Sequence, residues 1–197
     1  MKIPANINDG ANNRIDFKPV FERLNEELSK LNILLELVCG GGFVMQLHGY
    51  RATVDVDAFF TSNKMIESAI RLVGDSFGIN KVDELWLNNA ISNLNAAPPA
   101  EYVKTVYQFS NLTVKAIDLT YLVGMKLKSG RELDLADVAE ILKQGNHNQP
   151  LALLSELSEM GFDVDISMLL GAFGEAHGME WLDQFFRDNE REISEYY

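Results

Sequence analysis

Apolar residues recur along the chain with two periods, one typical of helices and one typical of strands. Between residues 17 and 32 they follow one another at intervals of three or four, which predicts an amphipathic helix. Between residues 54 and 60 apolar and polar side chains alternate, which predicts a strand with one buried face. The same patterns predict strands over 33–38, 102–108 and 112–117, and helices over 43–48, 64–77, 119–129, 132–144, 150–160, 165–176 and 179–194.

The order of these elements along the chain predicts the fold class. All the strands precede Asp118 and only helices follow it, while residues 85–87 fit either a short strand or the start of a helix. This order predicts an α+β protein, in which a small mixed sheet with flanking helices is followed by an all-helical C-terminal lobe. We therefore expect an α/β core over residues 1–117 and a helical lobe over residues 118–197 that packs on it.

The negative charge of the chain is concentrated in its last third. The 197 residues include 17 Lys and Arg against 29 Asp and Glu, which gives a formal net charge of −12. Residues 132–197 contain three basic and fifteen acidic residues, so this segment alone carries 3 − 15 = −12. Such a segment repels a phosphate backbone, and we therefore expect no broad DNA binding.

Two further features bound the class of protein. Cys39 is the only cysteine, which excludes an internal disulfide framework and a zinc site built from several cysteines. No apolar run reaches the roughly 18–20 residues of a membrane span, and residues 1–14 lack the apolar stretch of a secretory signal. We therefore expect a cytoplasmic protein that does not act at a membrane.

One segment combines consecutive glycines with two nearby aspartates. The glycines 40–42 separate a predicted strand from a predicted helix, where bare backbone and free N–H groups can approach a phosphate closely. Asp55 and Asp57 lie two apart on a strand, so they face the same side and can hold one or two divalent cations. Arg51 and Thr53 are near enough in sequence to contribute. The alternative is that the glycines form an ordinary turn and the aspartates a solvent-facing strand surface.

These residues resemble a known signature. An apolar residue, two glycines, about a dozen residues and then Asp–apolar–Asp–apolar is similar to the motif of the DNA-polymerase-beta-like nucleotidyltransferase superfamily. Residues 39–42 and 51–57 carry this motif. A later part of the chain resembles the bacterial branch that includes the abortive-infection nucleotidyltransferase toxins, through Met125, Lys126, Leu127, Arg131, Asp134 and Asp137. The resemblance covers about residues 33–142.

The resemblance implies a nucleotidyltransferase-like fold and a specific chemistry. A nucleoside monophosphate would move from a nucleoside triphosphate to a hydroxyl of tRNA or of a protein, in a toxin-like activity that has an antitoxin-like partner protein. Asp55 and Asp57 would hold Mg²⁺ or Mn²⁺, and together with Lys126 they would be the catalytic residues. The residues implied to bind the nucleotide are Gly41, Gly42, Arg51, Thr53, Lys126 and Asp137.

Two departures from the family pattern support an alternative function. Gly42 stands where many relatives have serine, and neither 102–108 nor 112–117 contains an acidic residue that could serve as a third carboxylate. The alternative is a catalytically weak or inactive module that binds a nucleotide or another protein. The later motif also has an alternative, an ion-pair network between consecutive helices formed by Lys126, Arg131, Asp134 and Asp137.

Overall fold

The structure, a computed structural model, describes residues 8–9, 14–82, 84–93 and 96–194. Most of the N-terminal segment on which we base the expectation of no secretory signal lies outside this set. The chain divides into two compact units, Met1–Asp118 and Leu119–Tyr197. The elements of the first unit are β1 (Asn8–Asp9), β2 (Arg14–Ile15), α1 (Phe17–Lys30), β3 (Leu35–Cys39), α2 (Gly41–Leu47), β4 (Val56–Phe59), α3 (Lys64–Phe77), β5 (Leu87–Asn88), β6 (Val103–Gln108) and β7 (Leu112–Ile117).

The main sheet of the first unit has five strands in the order β5-β4-β3-β7-β6. Strand β3 pairs antiparallel with β4 and parallel with β7, while β4 pairs parallel with β5 and β6 antiparallel with β7. The sheet is therefore small and mixed, and the predicted α+β class is confirmed. Residues 85–87, which the sequence leaves open, lead into the short edge strand β5.

The register of the central strands determines what lies at one end of the sheet. Cys39, the last residue of β3, pairs with Ala58 of β4 on one side and with Ala116 of β7 on the other. One residue further on, the backbone N–H of Gly40 donates to the carbonyl oxygen of Asp57 over 2.9 Å. The glycines that follow β3 therefore lie at the same end of the sheet as Asp57 in β4 and Asp55, which directly precedes β4 because the strand is shorter than the predicted 54–60.

Helices α1 and α3 pack their apolar residues against those of the sheet to form the core of this unit. Both begin at a side-chain cap, since Asp16 accepts from the N–H of Lys18 and Asn63 accepts from the N–H groups of Met65 and Ile66. The buried indole of Trp86 donates to the carbonyl oxygen of Ile70 over 2.9 Å. An aromatic cluster joins α1, α2 and the segment before β5 through Phe17, Phe21, Phe43 and Trp86.

Among the described residues of the second unit, the regular secondary structure consists of helices. Its helices are α4 (Leu119–Ser129), α5 (Glu132–Gln144), α6 (Pro150–Glu159), α7 (Ile166–His177), α8 (Met179–Asp188) and α9 (Glu190–Ile193). The prediction of one helix over 179–194 is wrong, because Asn189 leaves the helical conformation and its side-chain amide donates to the carbonyl oxygen of Phe185. None of the helices in the described ranges combines the length and the hydropathy that crossing a bilayer requires.

Candidate functional site

The first glycine of α2 lies directly against a carboxylate of β4. Gly41 has a φ of +53°, in the left-handed region, and a Cβ built on it would stand 2.9 Å from Oδ2 of Asp57. A side chain at position 41 would therefore meet both backbone strain and the carboxylate. The prediction that all three glycines precede the helix is wrong, because Gly41 and Gly42 form the first turn of α2.

Thr53 fills the space that the absence of a side chain at Gly42 leaves open. A Cβ on Gly42 would lie 2.5 Å from Oγ1 of Thr53 and 3.2 Å from Nη1 of Arg51. Thr53 is buried, and its hydroxyl lies 3.1 Å from Oδ1 of Asp55, close enough to donate a hydrogen bond. Glycine at position 42 thus lets Thr53 reach Asp55, and a serine there would compete for the same space.

Helix α2 also fixes the backbone of the segment that precedes Asp55. The side-chain oxygen of Gln46 accepts from the N–H of Thr53 over 2.9 Å, and its side-chain nitrogen donates to the carbonyl oxygen of Ile15 over 2.7 Å. One amide therefore ties the segment before Asp55 to α2 and to β2. Gln46 could not be predicted from the sequence, because nothing in the local pattern indicates contacts with residues 7 and 31 positions away.

Asp55 pairs with a lysine from the segment after α3. Nζ of Lys81 lies 3.1 Å from Oδ2 of Asp55 and 3.0 Å from Oε2 of Glu84. The side chain of Lys81 is 49% exposed and that of Asp55 is 32% exposed, so the pair is in contact with solvent. The hydrogen bond with Glu84 and the contact with Asp55 raise the pKa of Lys81, which remains a cation.

Asp55 and Asp57 both line a cleft with a volume of about 400 Å³. One part of its wall is apolar and is formed by Phe60, Ile70, Leu85 and Leu87. The polar part of the wall contains Ser62, Glu67, Glu84, Asn88 and Asn89. An apolar wall beside a few polar groups is typical of pockets that bind small molecules.

The donor set of this cleft suits a hard divalent cation. Asp55 and Asp57 offer carboxylate oxygens, the ligands that Mg²⁺ and Mn²⁺ prefer, and Mg²⁺ commonly takes one or two carboxylates together with substrate phosphates. Among the described side chains, no group of three or more His, Cys, Asp or Glu is arranged to hold a metal ion. A cation bound here would therefore depend on two carboxylates and on ligands from a substrate.

Cys39 lies next to this site but is not a nucleophile. Its side chain is fully buried. The pKa of its thiol is raised well above its ordinary value, first by burial and second by the negative charge of Asp57. The thiol therefore stays protonated and unreactive, and Cys39 serves as a small core residue at the end of β3.

The second unit contains a separate cluster of charged residues between α4 and α5. Nζ of Lys126 donates to Oδ1 of Asp134 over 2.7 Å and to Oδ2 of Asp137 over 2.6 Å, and all three side chains are at most 6% exposed. Asp134 also accepts from the hydroxyl of Ser129 and from Nε of Arg131. Burial alone would raise the pKa of Asp134, but these hydrogen bonds from Lys126, Ser129 and Arg131 lower it below its ordinary value.

The predicted site residues thus fall into two groups. Gly41, Gly42, Arg51, Thr53, Asp55 and Asp57 lie around one end of the sheet in the first unit. Lys126 and Asp137 belong to the second unit and bind each other there, as the ion-pair interpretation expects. Their implied role towards a nucleotide stays a prediction.

Compared with models of protein families, with curated proteins and with solved structures, the chain matches none of them. A functional assignment therefore depends on the geometry of the cleft and on the motifs that surround it. The family resemblance of these motifs likewise stays a prediction.

Proposed function

We propose that the chain is a Mg²⁺-dependent nucleotidyltransferase of the DNA-polymerase-beta-like superfamily. It would transfer a nucleoside monophosphate from a nucleoside triphosphate to a hydroxyl of RNA or of a protein. The observation that supports this most is the contact between Gly41 and Asp57, where backbone without a side chain stands beside a carboxylate that lines a cleft. Triphosphate and metal need this combination of close backbone approach and hard oxygen ligands.

Asp55 and Asp57 are the residues that would hold the metal. A bound Mg²⁺ would supply positive charge to the phosphate oxygens, which removes the repulsion between an anionic substrate and an acidic chain. The hydroxyl of Thr53 orients Asp55, and the pairing of β4 with its neighbours in the sheet orients Asp57. Two carboxylates held in this way need little reorganisation when a substrate arrives, which favours catalysis by positioning.

The glycines and the cleft would accommodate the two ends of the nucleotide. The backbone at Gly41 and Gly42 would approach the phosphates, as the glycine motif implies. A side chain at either position would also collide with Asp57 or Thr53. The apolar wall formed by Phe60, Ile70 and Leu85 offers a surface on which a nucleobase can be buried. The cleft in front of Asp55 and Asp57 would leave the phosphate accessible to an attacking hydroxyl.

The acidic second unit suits a basic partner protein. Residues 132–197, the larger part of this unit, contain fifteen acidic and three basic residues and can recruit a positively charged surface through complementary charge. This property fits an antitoxin-like protein or a basic protein acceptor.

Transfer of label tests the proposal. The purified protein is incubated with Mg²⁺ or Mn²⁺, with total cellular RNA or protein, and with each of the four α-labelled nucleoside triphosphates in turn. At least one nucleotide should give a labelled macromolecule and pyrophosphate. Asp55→Asn and Asp57→Asn should abolish transfer, whereas Asp183→Asn, an exposed position on α8, should not. Nucleotide binding without transfer would instead support the inactive binding module. If neither binding nor transfer is detected with any of the four nucleotides, the proposal is refuted.

A further inference from the structure

The cation that contacts Asp55 is Lys81, which neither the glycine motif nor the Asp–apolar–Asp motif includes. Its ammonium lies 3.1 Å from Oδ2 of Asp55, and its backbone N–H donates to the carbonyl oxygen of Glu84 over 3.1 Å. This backbone bond holds the main chain of Lys81 beside the cleft, in addition to the ion pair that its side chain forms with Asp55.

The environments of Lys81 and Lys126 differ in what their ammonium groups can do. Nζ of Lys126 is enclosed by Asp134 and Asp137, and the side chain is 6% exposed. Lys81 is 49% exposed, and its partner Glu84 is 67% exposed. An ion pair in contact with water contributes little free energy and exchanges readily, whereas a buried pair cannot be opened without leaving uncompensated charge. Lys81 is therefore able to change partners, while the contacts of Lys126 are fixed.

We propose that Lys81 is a mobile counter-ion of this site, which pairs with Asp55 before substrate binds and contacts the phosphates of the bound nucleotide afterwards. This inference rests on the proposed function. A divalent cation and an ammonium repel each other strongly at the same carboxylate, so binding of the metal would release Lys81 from Asp55. Asp55 and Glu84, which Lys81 contacts, both line the cleft, so the flexible side chain of Lys81 would reach the phosphate oxygens of a nucleotide bound there.

The proposal predicts two effects of opposite sign when the charge of Lys81 is removed. In Lys81→Met, Mn²⁺ alone should bind about twofold to fivefold more tightly, since no ammonium competes for Asp55. The Mg²⁺ complex of the nucleoside triphosphate should bind about tenfold more weakly, since one charged contact to phosphate is lost. The corresponding monophosphate, which has fewer phosphate oxygens to contact, should lose less than threefold.

These effects can be measured with matched variants. Titration of free Mn²⁺ by electron paramagnetic resonance reports the affinity for the metal, and calorimetry in Mg²⁺ reports the affinity for the triphosphate that wild type binds best and for its monophosphate. Lys81→Arg keeps the charge and should stay within about threefold of wild type in each assay. Lys64→Met, which removes an exposed lysine at the start of α3, should change neither affinity.

Two results would overturn the role of Lys81. Triphosphate affinity that is unchanged in Lys81→Met would show that the ammonium does not contact phosphate. A parallel loss of Mn²⁺ and triphosphate affinity would show that Lys81 only supports the local structure. Both results require that wild type binds a nucleotide, so they leave the proposed function standing. If wild type binds none of the four nucleotides, the proposed function itself fails, whatever the Mn²⁺ titration shows.

Discussion

Among the described residues, Lys126 and Lys81 each bridge a pair of carboxylates, and the difference in their burial separates a structural cluster from the candidate site. The ammonium of Lys126, on α4, contacts Asp134 and Asp137 on α5, and these three side chains are at most 6% exposed. Lys81 lies at the cleft with Asp55 and Glu84, which are 32% and 67% exposed. The chemical groups are the same, but the surroundings differ. Because charges out of water must be compensated, the first cluster holds two helices together. The cluster at the cleft is in contact with water, so Lys81 can exchange its partners there.

The largest expected effect comes from breaking the buried cluster. Lys126→Met leaves Asp134 and Asp137 without their shared cation and should lower the free energy of unfolding by about 3–5 kcal/mol. Chemical denaturation followed by circular dichroism measures this loss. Lys128→Met changes an exposed lysine on the same helix and should alter stability by no more than about 0.5 kcal/mol. Equal stability of the two variants would show that the buried cluster does not support the fold.

The second effect is the pH dependence of the same cluster. Because the pKa of Asp134 is lower in the folded protein, its contribution to stability is complete above its unfolded pKa of about 3.9 and disappears as the pH falls further. Asp134→Asn should therefore cost about 1–3 kcal/mol at pH 6 and progressively less below pH 4. Denaturant titrations of wild type and variant at several pH values test this. A stability difference that does not vary with pH would contradict it.

The third effect concerns the backbone at the cleft, and two glycines provide a matched pair. Gly41 and Gly49 both have positive φ, of +53° and +81°, but only a Cβ at Gly41 would meet Asp57. Alanine at either position should cost about 1–2 kcal/mol of stability through backbone strain. Only Gly41→Ala should also weaken Mg²⁺-dependent nucleotide binding, which calorimetry can detect. If Gly49→Ala weakens binding as much, the contact between Gly41 and Asp57 has no special role.

The smallest expected effect on stability comes from the exposed pair. Lys81→Met should change the free energy of unfolding by less than about 0.5 kcal/mol, because solvent already screens its interactions with Asp55 and Glu84. Comparison of Lys81→Met with Lys126→Met in the same denaturation assay measures how much burial increases the effect of each cluster on the free energy of unfolding. A loss as large as that of Lys126→Met would mean that Lys81 is a structural residue.

The sequence predicts the elements whose apolar period is regular. Residues 64–77, 119–129 and 132–144 form helices, and 112–117 forms a strand, with the bounds that the pattern predicts. The pattern fails where a single residue interrupts it, as at Asn189, because the apolar period continues across the break. The pattern also does not predict that Gly41 and Gly42 belong to α2, because glycine lowers helix propensity.

The site is predictable only as far as its residues are close in sequence. The glycines and the Asp–apolar–Asp segment belong to one strand–helix–strand unit, so their proximity follows from chain connectivity. Lys81 is 26 residues from Asp55, in a segment without regular structure, and only the folded chain brings the two together. The later motif allows both a clamp and a phosphate-binding role for Lys126, because sequence does not reveal that its ammonium is buried.

We propose above all that the backbone at Gly41 and the carboxylates of Asp55 and Asp57 bind one metal-complexed nucleotide. Calorimetric titration of wild type and Asp57→Asn with each of the four nucleoside triphosphates, with and without Mg²⁺, tests it most directly. We expect that at least one nucleotide binds wild type only when Mg²⁺ is present, and that Asp57→Asn binds it more than about tenfold more weakly while remaining folded. Mg²⁺-independent binding, or equal affinity in the folded variant, would contradict it.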